Sequence, residues 1–153
     1  MDSFQVIADE GAAEKMVFVN GSPLAGEYDI DFSELVNSLF ADGEHKIFTC
    51  ECGIPECAGI WDNCVVTIKG DVVRWKVPVP LNNAAAFEKQ KMRFFEFDRS
   101  QYEREIIGAH STLLRTFESN PRSYDEMFFT AEMLREMSVR LEPLRVKYGA
   151  SNG

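Results

Sequence analysis

Residues 64–79 read CVVTIKGDVVRWKVPV, which is two apolar runs separated by the turn pair Gly70-Asp71. In the second run apolar side chains alternate with Arg74 and Lys76, the pattern of a strand that buries one face. The stretch therefore predicts an antiparallel hairpin. Its two strands are expected at Cys64–Lys69 and Val72–Val79.

Outward from this hairpin, apolar runs and capping residues predict the remaining elements. The other strands are expected at Phe4–Ala8, Met16–Asn20, Lys46–Cys50 and Met92–Asp98. Apolar residues at helical spacing behind capping residues predict three helices. They begin after Asp31, at Ser100 and at Ser123, and they end before Gly43, near residue 118 and near Leu141, with Pro143 ending or kinking the last one.

Strands gathered in the first two-thirds of the chain, followed by helices, predict an α+β fold. We expect a mostly antiparallel sheet with helices packed on one face and two long C-terminal helices. Pro78 and Pro80 cannot donate to a strand ladder, which predicts that their strand lies at a sheet edge near its end. The 153 residues suit one domain. We expect it over residues 1–148, with a disordered tail at 149–153.

The charge of the chain is uneven along its length. The net charge is −9, and residues 1–63 hold thirteen acidic side chains against the two cations Lys15 and Lys46. This balance disfavours nucleic acid as a partner. An acidic half is typical of a solubilising surface, and the sharper interpretation is a face that docks a basic protein.

No segment predicts export or a membrane anchor. The N-terminus MDSFQVIADE lacks the cationic start and apolar core of a signal peptide, and no uncharged apolar run approaches the length of a membrane span. The chain is therefore expected in the cytoplasm, without membrane contact.

All four cysteines fall within fifteen residues, in the segment FTCECGIPECAGIWDNC at 48–64. If the segment folds back on itself, the four sulfurs could meet at one tetrahedral zinc ion. The candidate metal ligands are Cys50, Cys52, Cys57 and Cys64, with His45 as an alternative ligand, and zinc is the candidate cofactor.

Two other interpretations of the cysteine segment stay open. The spacing is not the paired C-x₂-C pattern of strong zinc sites, and Glu51 and Glu56 oppose thiol deprotonation nearby. The cysteines would then be free thiols that pack as small apolar side chains. A thiol-redox role is the third interpretation, although no cationic neighbourhood lowers a thiol pKa there.

The segment from Phe48 to Gly59 resembles a stretch shared by small bacterial proteins of unassigned function, with the pattern Phe-Thr-Cys-x-Cys-Gly-x-x-x-Cys-Ala-Gly. The resemblance covers twelve residues. It implies membership of that group, and it brings neither an activity nor a catalytic residue to this chain.

The two C-terminal helices hold the remaining candidate residues. His110 lies in the middle of an apolar stripe, which predicts a core histidine hydrogen-bonded to another element. The last helix has an apolar surface wider than one buried face requires. Its second apolar row is a candidate partner-binding or homodimer surface and consists of Phe129, Met133, Met137 and Leu144.

The sequence contains no linear catalytic motif, so an enzyme is the disfavoured class. The leading hypothesis is a protein-interaction or adaptor domain, such as an immunity or regulatory protein, with an acidic N-terminal half. The alternative is a small zinc or thiol-redox module built on the Cys50–Cys64 loop.

Overall fold

The fold is taken from a computed structural model, which describes residues 1–8, 15–24, 29–49, 60, 62–79, 91–119 and 131–149. In the first half of the chain the elements are β1 (Phe4–Ala8), β2 (Lys15–Val19), β3 (Ser22–Pro23), β4 (Asp29–Ile30), α1 (Phe32–Asn37), β5 (Gly43–His45) and β6 (Phe48–Thr49). In the second half they are β7 (Cys64–Lys69), β8 (Val72–Val79), β9 (Lys91–Asp98), α2 (Arg99–Ser119) and α3 (Ala131–Lys147).

The chain has the predicted α+β fold, with antiparallel sheets and two long C-terminal helices. The main sheet has the strand order β5-β7-β8-β9, and every pairing in it is antiparallel. A three-stranded sheet, β1-β2-β3, and a two-stranded ribbon, β4-β6, complete the strands of the described residues. The hairpin predicted from residues 64–79 is confirmed with its predicted bounds.

β8 lies between β7 and β9, but the edge position predicted near the end of this strand agrees with the register at Pro78. The β7 ladder ends at the pair Val65↔Lys76. Residues 74, 76 and 78 turn their backbone groups away from β9 in this register, so Pro78 faces the side on which β7 has already stopped. The missing N–H of the proline therefore costs no ladder bond.

Four aromatic rings form the centre of the core. Phe4, Trp75, Phe97 and Tyr102 are each at most 1% exposed, and the centroid of Phe4 lies 4.6 to 5.5 Å from those of the other three rings. These contacts join β1, β8, β9 and α2. Because aromatic side chains bury the largest areas, this cluster fixes the helix against the sheet.

Helix α1 begins where it was predicted to begin. The Asp31 carboxylate accepts a hydrogen bond from the N–H of Glu34, as an N-cap should. The predicted stop at Gly43 is wrong, since the helix ends at Asn37 and Gly43 opens β5 with φ +131°. Of the strand predicted at Lys46–Cys50, only Phe48–Thr49 is a strand (β6); β5 ends at His45, before the predicted start, and Cys50 lies outside the described residues.

The two long helices differ from prediction at their ends. Asp98 rather than Ser100 caps α2, because its carboxylate accepts from the Gln101 N–H and the Ser100 hydroxyl. In α3 the helix continues through Pro143 to Lys147. The start predicted at Ser123 lies outside the described residues. Among the helices described, none has the length and apolar character needed to cross a membrane.

Candidate functional site

The described part of the cysteine segment places two of the predicted metal ligands side by side. His45 and Cys64 are direct partners in the β5–β7 ladder, and antiparallel partners project to the same face of a sheet. Cys64 is a free thiol, and complete burial raises its pKa well above the usual value. Cys50, Cys52 and Cys57 lie outside the described residues.

The two ends of the segment are tied together by Asn63, which is 2% exposed. Its side-chain oxygen accepts from the N–H groups of Phe48 and Cys64, and its amide donates to the Phe48 carbonyl. Phe48 and Cys64, which flank the other three cysteines in the sequence, are therefore held close together.

His45 is held by groups other than a metal. Its Nε2 lies 2.7 Å from the Ala41 carbonyl, and Nδ1 faces a Glu34 carboxylate oxygen at 3.6 Å. Among the described side chains, no group of three or more His, Cys, Asp or Glu residues could hold a metal ion. The zinc site stays a prediction that depends on the three cysteines outside this set.

The apolar row predicted on the last helix is largely in contact with the core. Met137 is 4% exposed, and Met133 and Leu144 are half-buried against the core cluster. Phe129 lies outside the described residues. The exposed apolar side chains of α3 are instead Val139 at 77% and Val146 at 72%.

Several carboxylates of the acidic half serve the fold itself. Asp2 accepts from the side chain of Asn20 and the N–H of Glu96, and these hydrogen bonds lower its pKa. Asp42 accepts from the N–H of Ile68. Asp31, as the cap of α1, is buried enough that its pKa is raised. These groups contribute to local structure before any contact with a partner.

The side of the main sheet opposite the aromatic core forms an exposed surface, which we call the outer face. Its centre is the cross-strand pair Lys76↔Phe94, flanked by the ion pair between Arg74 and Glu96 at 2.8 Å. Phe94 is 70% exposed and Met92 is 40% exposed. Lys76 and Lys69 are also exposed, and the exposed area ends at Pro78, which is buried.

The outer face borders an open sheet edge. Asp2 lies beside the C-terminal end of β9. Its backbone N–H donates to the Glu96 carbonyl, and its carboxylate accepts from the Glu96 N–H. Residues 92 and 94 turn their backbone groups in the same outward direction. Within the described residues no strand pairs with this side of β9.

A buried polar cluster joins α2 to α3. His110 is completely buried, as predicted for a core histidine; its Nε2 lies 2.8 Å from the Leu134 carbonyl and its Nδ1 lies 2.5 Å from Nη2 of Arg145. Because an arginine can only donate, Nδ1 accepts and Nε2 carries the ring proton. Burial, together with the Arg145 charge, lowers the pKa of His110, so the ring is neutral at pH 7.

Two of these features could have been found in the sequence. Phe94 and Phe95 are adjacent in a strand, where successive side chains point to opposite faces, so one of the two must face outward. Arg145 follows Met137 and Leu141 at helical spacing, which puts a cation on the buried stripe of α3. Cross-strand pairs such as Lys76↔Phe94 leave no comparable local signal.

Comparison with known proteins gives no relative for this geometry. No family model matches the chain, and neither a curated protein nor a solved structure matches it.

Proposed function

We propose that this chain is a non-catalytic protein-interaction domain of the cytoplasm, and that its outer face binds an acidic, extended segment of a partner protein. The observation that carries the proposal is the exposed Phe94, which lies directly opposite Lys76 on β9, the last strand of the main sheet. Met92, two residues away on the same face of β9, is also exposed, and contiguous exposed apolar side chains are typical of interaction sites.

The edge of β9 supports an extended segment as the ligand. A peptide strand added next to Met92 and Phe94 would use backbone groups that turn outward there, and its alternate side chains would reach the outer face. Backbone pairing would supply affinity, and contact with Phe94 would supply specificity.

Charge supports an acidic rather than a basic segment at this surface. Lys69 and Lys76 are exposed on the outer face, where Arg74 is paired with Glu96 and Glu44 is exposed at the far strand β5. The residue directly opposite Phe94 is therefore a cation, in a chain whose net charge is −9. Opposite charges at an interface favour encounter and orient the partner.

Selection from a displayed library of random peptides tests the proposal on the full chain. We expect the selected peptides to alternate acidic and apolar residues, and to lose binding to the Phe94→Ser and Lys76→Glu variants. Val139→Ser is the matched control, because it removes an equally exposed apolar side chain from α3.

Two results would contradict this function. Selected peptides without an acidic excess, or with undiminished binding to Phe94→Ser, would remove the outer face as the docking surface. Competition by a single-stranded oligothymidylate would assign the same aromatic and cationic groups to nucleic acid instead.

A second candidate function is a zinc or thiol module, which the ladder pairing of His45 with Cys64 favours. Elemental analysis of the purified protein, with thiols counted on the same sample, tests it. About one zinc ion per chain, lost in Cys52→Ser, is the expected result for a four-thiolate site. Four thiols that titrate in metal-free folded protein would contradict it.

The basic partner proposed for the acidic half and the homodimer proposed for α3 remain separate predictions. For the homodimer, light scattering at about 50 μM, a concentration well above a micromolar dissociation constant, should give twice the monomer mass. The monomer mass would contradict it.

A further inference from the structure

The turn between β2 and β3 is built on the pair Asn20-Gly21. Both residues have positive φ, +52° and +80°, as a tight hairpin turn of type I′ requires, and both are exposed to solvent. A Cβ added to Gly21 would meet no other described part of the chain within 4 Å. Asparagine is a thermolabile residue, and the glycine that follows it here has no side chain to hinder attack on the carboxamide.

The reaction open to this pair is cyclisation followed by hydrolysis. The backbone nitrogen of Gly21 attacks Cγ of Asn20, the new C–N bond closes a cyclic imide, and Nδ2 leaves as ammonia with the proton of the Gly21 N–H. Water then adds to either imide carbonyl and reopens the ring. Nothing is oxidised or reduced, and a carboxylate replaces the carboxamide of residue 20.

The Asn20 side chain fastens the N-terminal residues to the main sheet. Its Oδ1 accepts from the Ser3 N–H at 2.9 Å, and its Nδ2 donates to the Asp2 carboxylate at 3.0 Å. The other oxygen of that carboxylate accepts from the Glu96 N–H at 2.8 Å, and the Asp2 N–H donates to the Glu96 carbonyl at 2.8 Å. The carboxamide of Asn20 therefore supplies the donor that holds Asp2 against β9.

Deamidation would remove this donor. A carboxylate at position 20 could still accept from Ser3, but its second oxygen would face the Asp2 carboxylate, so that two acceptors of like charge would meet. The Asn20 hydrogen bond is the main cause that lowers the pKa of Asp2, ahead of the amino terminus and Arg93. These two cations therefore offset only part of the repulsion.

The same contacts protect the pair while the chain is folded. Cγ of Asn20 must turn toward the Gly21 nitrogen in order to react, and this movement breaks the hydrogen bonds to Ser3 and Asp2. The turn also holds the backbone of Asn20 in the left-handed region. Deamidation should therefore be slow while Asp2 is in place and faster when the N-terminal residues come away.

We propose that Asn20-Gly21 is a deamidation site, and that the carboxylate formed there releases Asp2 from the end of β9. The substrate is the chain itself and the co-reactant is water. The change is irreversible, so it would mark the age of each molecule. The inference does not rest on the proposed function of the outer face.

Hydrogen–deuterium exchange of the full-length protein, followed by NMR, tests the release. Asn20→Asp introduces the product, and the Glu96 N–H should then exchange about tenfold faster, as expected when one hydrogen bond to a charged group is lost. The Val6 N–H, which donates to Glu105, should be unaffected because it lies further along β1.

A double variant separates the lost donor from other effects of the substitution. Asp2→Asn combined with Asn20→Asp exchanges donor and acceptor, because the new amide at position 2 can donate to the carboxylate at position 20 and still accept from the Glu96 N–H. It should restore the wild-type exchange rate. Asn37→Asp is the matched control, since the Asn37 oxygen accepts from Arg140 and a carboxylate keeps that acceptor.

Incubation in mildly alkaline buffer tests the modification itself. Cleavage after Lys15 and Lys46 gives one peptide that contains both Asn20 and Asn37, so mass spectrometry compares the two asparagines directly. We expect Asn20 to react more slowly in folded protein than in guanidinium chloride, and several-fold faster in folded Asp2→Ala than in folded wild type. Asn37, which precedes a serine, should react less in the unfolded chain.

Each part of the inference has a result that would overturn it. An unchanged Glu96 exchange rate in Asn20→Asp, or a rate that the double variant does not restore, would contradict the release of Asp2. Equal acceleration of the Val6 N–H would show general destabilisation instead. Equal reaction of Asn20 in wild type and Asp2→Ala would contradict the protection, and no reaction of Asn20 in the unfolded chain would remove the site.

Discussion

His110 is placed between a carbonyl oxygen that can only accept and a guanidinium that can only donate. Protonation of the ring would put a hydrogen on Nδ1, facing Nη2 of Arg145 at 2.5 Å, and would place two cations in contact. Burial also disfavours the charged ring, which is why its pKa is lowered. Protonation of His110 at low pH should therefore weaken the packing of α2 against α3.

The free energy of unfolding should depend on His110 below about pH 6.5. A lowered pKa means that the unfolded state binds the proton more readily, so stability is complete above the unfolded pKa and is lost as pH falls toward the folded one. The slope can reach about 1.4 kcal/mol per pH unit. Urea unfolding between about pH 7 and pH 5 should show this slope in the wild type and lose it in His110→Gln.

The comparison variant for that experiment is His45→Gln, which removes the other histidine of the chain. A pH dependence abolished by His45→Gln rather than by His110→Gln would contradict the assignment.

Tyr102 joins three core elements through its hydroxyl group. The indole N–H of Trp75 donates to that oxygen at 3.3 Å, the hydroxyl lies 2.5 Å from Ser38 Oγ, and the Ser38 hydroxyl donates to the Leu35 carbonyl. Burial raises the pKa of Tyr102 far above its ordinary value. The phenol therefore stays protonated and available as the donor to Ser38.

Tyr102→Phe should reduce the free energy of unfolding by about 1–3 kcal/mol, because it leaves the buried Trp75 donor without an acceptor. Chemical denaturation checks the value. In a double-mutant cycle with Ser38→Ala the two changes should couple, since they share one hydrogen bond. Strictly additive effects would contradict the network.

Helix α1 is six residues long, so its cap carries an unusual share of its stability. Asp31→Ala should cost about 1 kcal/mol, because the N–H of Glu34 loses its acceptor. Asp31→Asn keeps an acceptor and removes a carboxylate whose pKa is raised by burial, so it should be neutral or stabilising at pH 7. Thermal unfolding compares the variants, and equal losses in both would contradict the cap.

Local sequence signals predicted where the helices and strands lie better than they predicted which strands pair with one another. The hairpin at Cys64–Val79 was predicted with its bounds because alternation and a turn pair are contained within one stretch of chain. The central place of β8 depends on β9, whose pairing partner cannot be identified from either strand alone. Asp98 was missed as a cap because the strand pattern runs directly into α2.

In the candidate sites, too, features that depend on neighbouring residues in the sequence were predicted, and contacts between distant residues were not. The core position of His110 was predicted, since its flanking apolar residues belong to the same helix. Its contact with Arg145 was not, because the two residues are 35 positions apart and meet only when α2 and α3 pack. The outer face similarly exists only after β8 and β9 pair.

At the scale of the whole molecule, contacts between elements adjacent in the sequence cost less loop-closure entropy than contacts between distant elements. The ladders β7–β8 and β8–β9 join strands that follow one another in the chain. By contrast β1 packs on α2, where the side chains of Gln101 and Glu105 accept from the N–H groups of Phe4 and Val6. Contacts between distant residues carry the larger loop-closure cost.

Phe4→Ala should therefore destabilise the protein by about 3–5 kcal/mol through lost core packing. We expect most of this loss as faster unfolding, with the refolding rate little changed, if β1 packs on α2 only after β7, β8 and β9 have paired into a meander. Stopped-flow kinetics in denaturant measures both rates. Val73→Ala, in the meander, is the comparison and should slow refolding; a refolding rate reduced by Phe4→Ala alone would contradict this order.

Because β1 is synthesised long before α2, its contacts with that helix are delayed during translation. Gln101, which receives the Phe4 N–H, is added 97 residues after Phe4. At roughly 5–20 residues per second, the ribosome needs on the order of 5–20 s to supply it. During that interval the strand synthesised first has no helix to pack against. The packing of Phe4 on α2 can therefore form only after the residues of that helix have left the ribosome.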